Sequence, residues 1–198
     1  GQGVPLTLTI NPPRQVVYLK LLPAFDDALL AFGLLVEREV VIQRILDVCA
    51  RDYAGVNVVF TTEVPTDFVE YSTVEIGGED PNGSGLFGLD NTAGKDTGNL
   101  RFNDVLGGFN ADTRAQGYAA YGGIFPKELL NLSPRLSDSP LTSDRFDDVF
   151  AAFAPPLGGA PALYQEAISD SVRAIPIQAA VIVLGNLIGN IVTHEVGH

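Results

Sequence analysis

AIPIQAAVIVLGNLIGNIVTHEVGH, residues Ala174 to His198, is the stretch that decides how this chain is read. It is apolar enough to raise the question of a membrane span. Gln178, Asn186 and Asn190 interrupt the run, and an ionisable cluster closes it. The reading is therefore the central helix of a soluble protein, buried on most sides and so apolar nearly all round. The chain's two histidines both fall in this segment, four residues apart, with Glu195 directly after the first. On a helix, positions i and i+4 lie one above the other, so two imidazoles can converge on one ion.

That constellation, His194-Glu195-Val196-Gly197-His198, matches the HExxH pattern of zinc hydrolases. Zinc takes imidazole nitrogens at about 2.0–2.1 Å and in catalytic sites keeps a position open for water. Glu195 lies beside that position and can act as general base on the water. A His–Glu pair on a solvated helix would carry no meaning. Here the preceding helix is apolar, so burying two histidines and one glutamate without a purpose would be costly. His194 and His198 are thus candidate metal ligands and Glu195 the candidate catalytic residue. Asn190, one turn before His194, is read either as orienting a ligand or as making a packing contact.

Upstream, the pattern is that of an α+β domain. Gln15 to Leu22 (QVVYLKLL) is β-branched and apolar, and predicts a strand. Glu37 to Tyr53 carries Val41, Ile45, Val48 and Cys49 at helical spacing, with charged residues on the other faces. That helix can start as early as Asp26. Val56 to Thr62 and Phe68 to Ile76 are further strands, the latter closed by Gly77 and Gly78. Gly77 to Asp112 reads as loop, Tyr118 to Phe125 as a short strand, and Ser143 as the cap of a helix over Asp144 to Phe153. Residues 1–13, with Pro5, Pro12 and Pro13, read as an extended arm or short edge strand.

The 198 residues fit one domain, or one domain plus a flap, with room for a core, and 46% hydrophobic against 18% charged residues is a globular composition. The net charge of -12 argues against nucleic acid and against charge-driven binding to anionic membranes. Cys49 is the sole cysteine, which excludes an intrachain disulfide; it is read as a small core residue. The chain starts at Gly1 and contains no methionine, which is read as a start later than that of translation. Asp80, Asp90, Asp96, Asn99, Asn103 and Asp104 offer oxygen atoms of the kind Ca2+ takes, but their spacing fits solvated turns better than a calcium loop.

Gly197 before the second histidine makes the motif HExGH, which resembles the metzincin class of zinc peptidases. The run ARDYAGVNVVFTTEVP, the following VEIGG, and the stretches GKDTGN and YGGIF are similar to secreted bacterial members of that class. The resemblance implies a mostly parallel twisted sheet with an antiparallel edge strand, one backing helix and a buried active-site helix over 174–198. It assigns Zn2+ to His194 and His198 and the base role to Glu195. It also implies that an edge strand, placed at Tyr121, Gly122 and Gly123, pairs with an extended peptide substrate. Members of the class continue as HExxHxxGxxH, with a methionine turn under the metal. None of these follows within the 198 residues, so the resemblance implies a C-terminal subdomain beyond His198. Two ligands alone would hold zinc weakly. The function implied is a secreted zinc endopeptidase. A non-catalytic extracellular assembly or binding module on the same scaffold is the alternative, and an intramembrane metalloprotease a more distant one.

Overall fold

The computed structural model describes residues 14–66, 71–91, 104–108, 120–167 and 172–198. Strand β1 (Gln15–Leu21) runs straight into helix α1 (Pro23–Ala31), whose first residue is a proline that needs no helical N–H partner there. Gly33 turns the chain with φ +69°, and a side chain at that position would collide with the Phe153 carbonyl. This turn divides the helical stretch that could have begun at Asp26. Helix α2 begins separately and spans Arg38–Asp52.

Strands β2 (Val58–Thr61) and β3 (Ser72–Ile76) both run parallel to β1, on either side of it. Two two-residue strands lie inside the stretch read as loop, β4 (Gly88–Leu89) and β5 (Val105–Leu106). Strand β6 is Gly123–Ile124. The strand order is β2-β1-β3-β6-β4, with β5 also on β3. Every pairing is parallel except β4 with β6. The fold is therefore α+β with a mixed sheet.

Helices α3 (Asp144–Phe150), α4 (Tyr164–Ala167) and α5 (Ala174–Val196) complete the domain. The Ser143 hydroxyl accepts the Arg145 N–H and caps α3, as its sequence suggests. Val17 and Leu19 of β1, Val74 and Ile76 of β3, and Ile124 of β6 join the inward faces of α1, α2 and α5 in one core. Phe32, Phe146 and Phe150 meet edge-on or tilted at its far side.

By length and composition α5 meets the requirement for a membrane span. In the fold one face of it is buried: Ile177, Val181, Leu184, Ile188 and Val192 follow helical spacing into the core. Gly185 and Gly189 let it approach α2 closely, since a Cβ on Gly189 would stand 2.7 Å from the Val48 Cβ. Two of the polar interruptions, Asn186 and Asn190, face α2 as well. Arg44 donates to Asn186 Oδ1 at 2.8 Å and Arg51 to Asn190 Oδ1 at 3.0 Å.

Candidate metal centre

Extending the buried stripe of α5 by one more step reaches Glu195, which keeps only 9% of its surface exposed. The burial expected of all three motif residues holds for Glu195 alone: His194 and His198 sit on the exposed flank beside it, where an imidazole stays hydrated. The helix ends at Val196, and the Gly197 N–H closes the last turn onto the Thr193 and His194 carbonyls. His198 is therefore just past the helix, yet its ring still lies edge-on to that of His194, with centroids 4.7 Å apart. The two Nε2 atoms are 3.2 Å apart.

That separation allows a test of fit. Two nitrogens bound to one tetrahedral zinc at about 2.0–2.1 Å stand about 3.3–3.4 Å apart. The observed pair is within about 0.2 Å of that spacing, and imidazole Nε2 is the donor chemistry zinc takes. Among the described residues, no group of three or more His, Cys, Asp or Glu side chains is placed to hold a metal ion. The same 3.2 Å is also the length of a hydrogen bond between the two rings, so the spacing is compatible with a shared ion, and the described residues bring no third ligand to it.

Tethers from α2 set the helix end in place. The Tyr53 hydroxyl donates to the Thr193 carbonyl at 3.3 Å, and Thr193 Oγ1 donates to Asp52 Oδ2 at 3.0 Å. Asn190, one turn before His194, accepts a hydrogen bond from Arg51 through Oδ1.

Glu195 is held from the opposite side by β4. Gly88 lies against it so closely that a Cβ there would be 2.9 Å from both Glu195 Cγ and Oε1. The Asp90 N–H, just past the strand, donates to Glu195 Oε2 at 2.8 Å. Burial pushes the Glu195 carboxyl above the ordinary glutamate value, and the Asp90 carboxylate adds to this. The Asp90 N–H and the two imidazoles pull it back only in part.

The chain matches no family model, no curated protein and no solved structure. The reading of this centre rests on its geometry.

Two cavities border Glu195. An apolar groove of about 460 Å3 runs between Phe87, Leu129, Leu132, Leu187 and Ile191, and opens beside His194 and Glu195. A polar cleft of about 90 Å3 lies on the other side, among Gln15, Ser72, Asp90, Asp104 and His198. A third cavity, of about 500 Å3, sits at the far end of α5 between Val40, Tyr164 and Ile182, away from these groups.

The expected substrate edge is not where Tyr121, Gly122 and Gly123 lie. The Tyr121 backbone exchanges two hydrogen bonds with the Asn82 side chain, and the Gly122 N–H donates to the Gly108 carbonyl. Gly123 sits in β6, between β3 and β4. The antiparallel strand at the end of the path is β4. Sequence reading missed β4 because Gly88-Leu89 is too short and too glycine-rich to show any alternation.

Of the candidate calcium oxygens, Asp80, Asp90 and Asp104 are among the described residues, and these three do not form a metal-holding group. The Asp80 carboxylate turns onto its own loop, accepting the N–H groups of Asn82, Ser84 and Leu86 and the Asn82 amide. The Asp104 carbonyl accepts the Thr73 N–H, and Asp90 serves Glu195 through its backbone. Asp96, Asn99 and Asn103 lie outside the described residues, as does the GKDTGN stretch.

Proposed function

We propose that this chain carries the motif half of a zinc endopeptidase centre, with His194 and His198 as metal ligands and Glu195 as general base. The observation that carries the reading is the Nε2 pair at 3.2 Å, at the end of a buried helix and beside a buried carboxylate. Bound there, zinc supplies Lewis acidity that lowers the pKa of water and polarises a peptide carbonyl. Glu195 takes the proton from the attacking water and hands it to the leaving amine. The Asp90 N–H occupies Oε2, so Oε1 is the oxygen available for that transfer.

An extended peptide pairs along the outer side of β4, the strand that lies on Glu195. The groove between Phe87, Leu132 and Ile191 takes an apolar side chain next to the scissile bond. The metzincin class and an extracellular setting belong to this same proposal and rest on the HExGH motif.

The second reading is a binding or assembly module without catalysis. What favours it is that the described residues bring two imidazoles together and no third ligand. Zinc titration of the purified full-length protein, run beside a peptide-cleavage assay, separates the two. The peptidase reading expects equimolar zinc in the parent and in Glu195→Gln, and its loss in His194→Ala. It also expects hydrolysis to fall about 10²–10⁴-fold in Glu195→Gln. A parent that binds zinc and cleaves nothing supports the module. Undiminished cleavage by Glu195→Gln removes Glu195 from the role of base.

A further inference from the structure

Asn91 follows directly on the residue that holds Glu195, and none of its surface is exposed. Its Nδ2 donates to two carbonyls, Gly108 at 2.9 Å and Ala120 at 3.2 Å. Those carbonyls belong to two segments that are themselves bridged through Gly108 and Gly122. The amide also fills the space that a side chain on residue 122 would need. A Cβ on Gly122 would stand 2.2 Å from Asn91 Oδ1 and 2.4 Å from Cγ. Glycine at 122 and asparagine at 91 therefore form one joint.

The joint has a cost that its packing alone does not explain. Asn91 Oδ1 is buried without a hydrogen-bond partner, and burying an unsatisfied oxygen is unfavourable. An apolar residue of similar size would avoid that cost, but it could not tie the end of β4 to both carbonyls. What the tie fixes is the backbone one residue earlier, where the Asp90 N–H meets Glu195 Oε2 at 2.8 Å.

We propose that Asn91 is a positioning residue for Glu195: it locks the end of β4 so that the Asp90 N–H stays on Oε2 and the carboxylate keeps its place beside the two imidazoles. The catalytic consequence rests on the peptidase reading above. The positional claim concerns one amide and can be measured without activity.

The experiment is hydrogen exchange of the 15N-labelled full chain, comparing the Asp90 amide with the amides of β1. Asn91→Leu removes both donors together with the unsatisfied oxygen. Gly122→Ala disturbs the same joint from the other side, and serves if the first variant does not fold. In either variant the Asp90 amide is expected to exchange at least about tenfold faster while the β1 amides keep their rates. In the zinc-loaded full-length protein, kcat falls by about tenfold or more and KM stays within about twofold. An unchanged Asp90 rate overturns the proposal, and so does an equal rise at Asp90 and in β1, which would be global loosening. Faster Asp90 exchange in a protein whose parent cleaves no peptide supports the joint and removes the peptidase reading instead.

Discussion

Replacing Gly189 by alanine tests how closely α2 and α5 approach, because two effects of opposite sign compete there. Alanine is favoured over glycine inside a helix by about 1 kcal/mol. Against this, the new methyl would stand 2.7 Å from Val48 Cβ and 2.8 Å from Val48 Cγ1. Carbon atoms in contact prefer about 3.5–4.0 Å, so the methyl is about 1 Å too close. Rotating Val48 can move its Cγ atoms but not its Cβ, which is fixed to the α2 backbone. The two helices have to separate instead. Overpacking of this kind costs about 1–3 kcal/mol, and a rigid neighbour puts this site in the upper part of that range. The net expectation is a loss of about 1–2 kcal/mol once propensity is subtracted. For a domain of this size that lowers Tm by about 2–8 °C. Thermal and urea unfolding followed by circular dichroism measure it directly. Adding Val48→Ala is expected to give little rescue, since the closest atom, Cβ, remains. A Gly189→Ala protein as stable as the parent, or more stable, would refute the close crossing, because only the propensity gain would then be felt.

Two further outcomes follow from burial and charge. Burial pushes the Asp80 carboxyl up, but the N–H groups of Asn82, Ser84 and Leu86 outweigh it and hold its pKa below the ordinary aspartate value. A carboxyl lowered in the fold stabilises above its unfolded pKa and stops doing so as pH falls through its folded one. The Tm gap between the parent and Asp80→Asn is therefore expected to be wide near neutrality and to close below about pH 4; a gap independent of pH would count against this. Burial, aided by the Asp52 carboxylate, pushes the Cys49 thiol up to about 12, and the side chain has no exposed surface. A thiol-specific disulfide reagent should leave the native protein unmodified at neutral pH and label one thiol per chain once urea unfolds it. Rapid stoichiometric labelling under native conditions would contradict that burial.

What the sequence made legible follows the length of each signal. Fifteen residues of helical spacing in α2 and twenty-three in α5 declare themselves, because each presents several turns of one apolar stripe. The split between α1 and α2 was hidden, since a single glycine at positive φ makes the turn inside an otherwise helix-compatible run. Strands β4, β5 and β6 have two residues each, too few for a period of two to appear. Their places are set by ladder partners far away in the chain. The same division holds within the site. His194 and His198 are four apart, and although His198 lies just past the end of α5, the closing turn still brings their nitrogens together, as helical spacing suggests. The partner of Glu195 comes from more than a hundred residues upstream and acts through a backbone N–H, a group that every residue but proline carries and that no side-chain pattern marks. The apolar helix did announce a buried glutamate, but not the donor that such a group requires. Ile188, Val192 and Glu195 continue a single buried spacing, so the carboxylate had to be buried, and a buried carboxylate requires a donor. The motif therefore locates the histidine side of the candidate centre, while the opposite side has to be found by asking what satisfies Glu195, and that question leads to β4, Asp90 and Asn91.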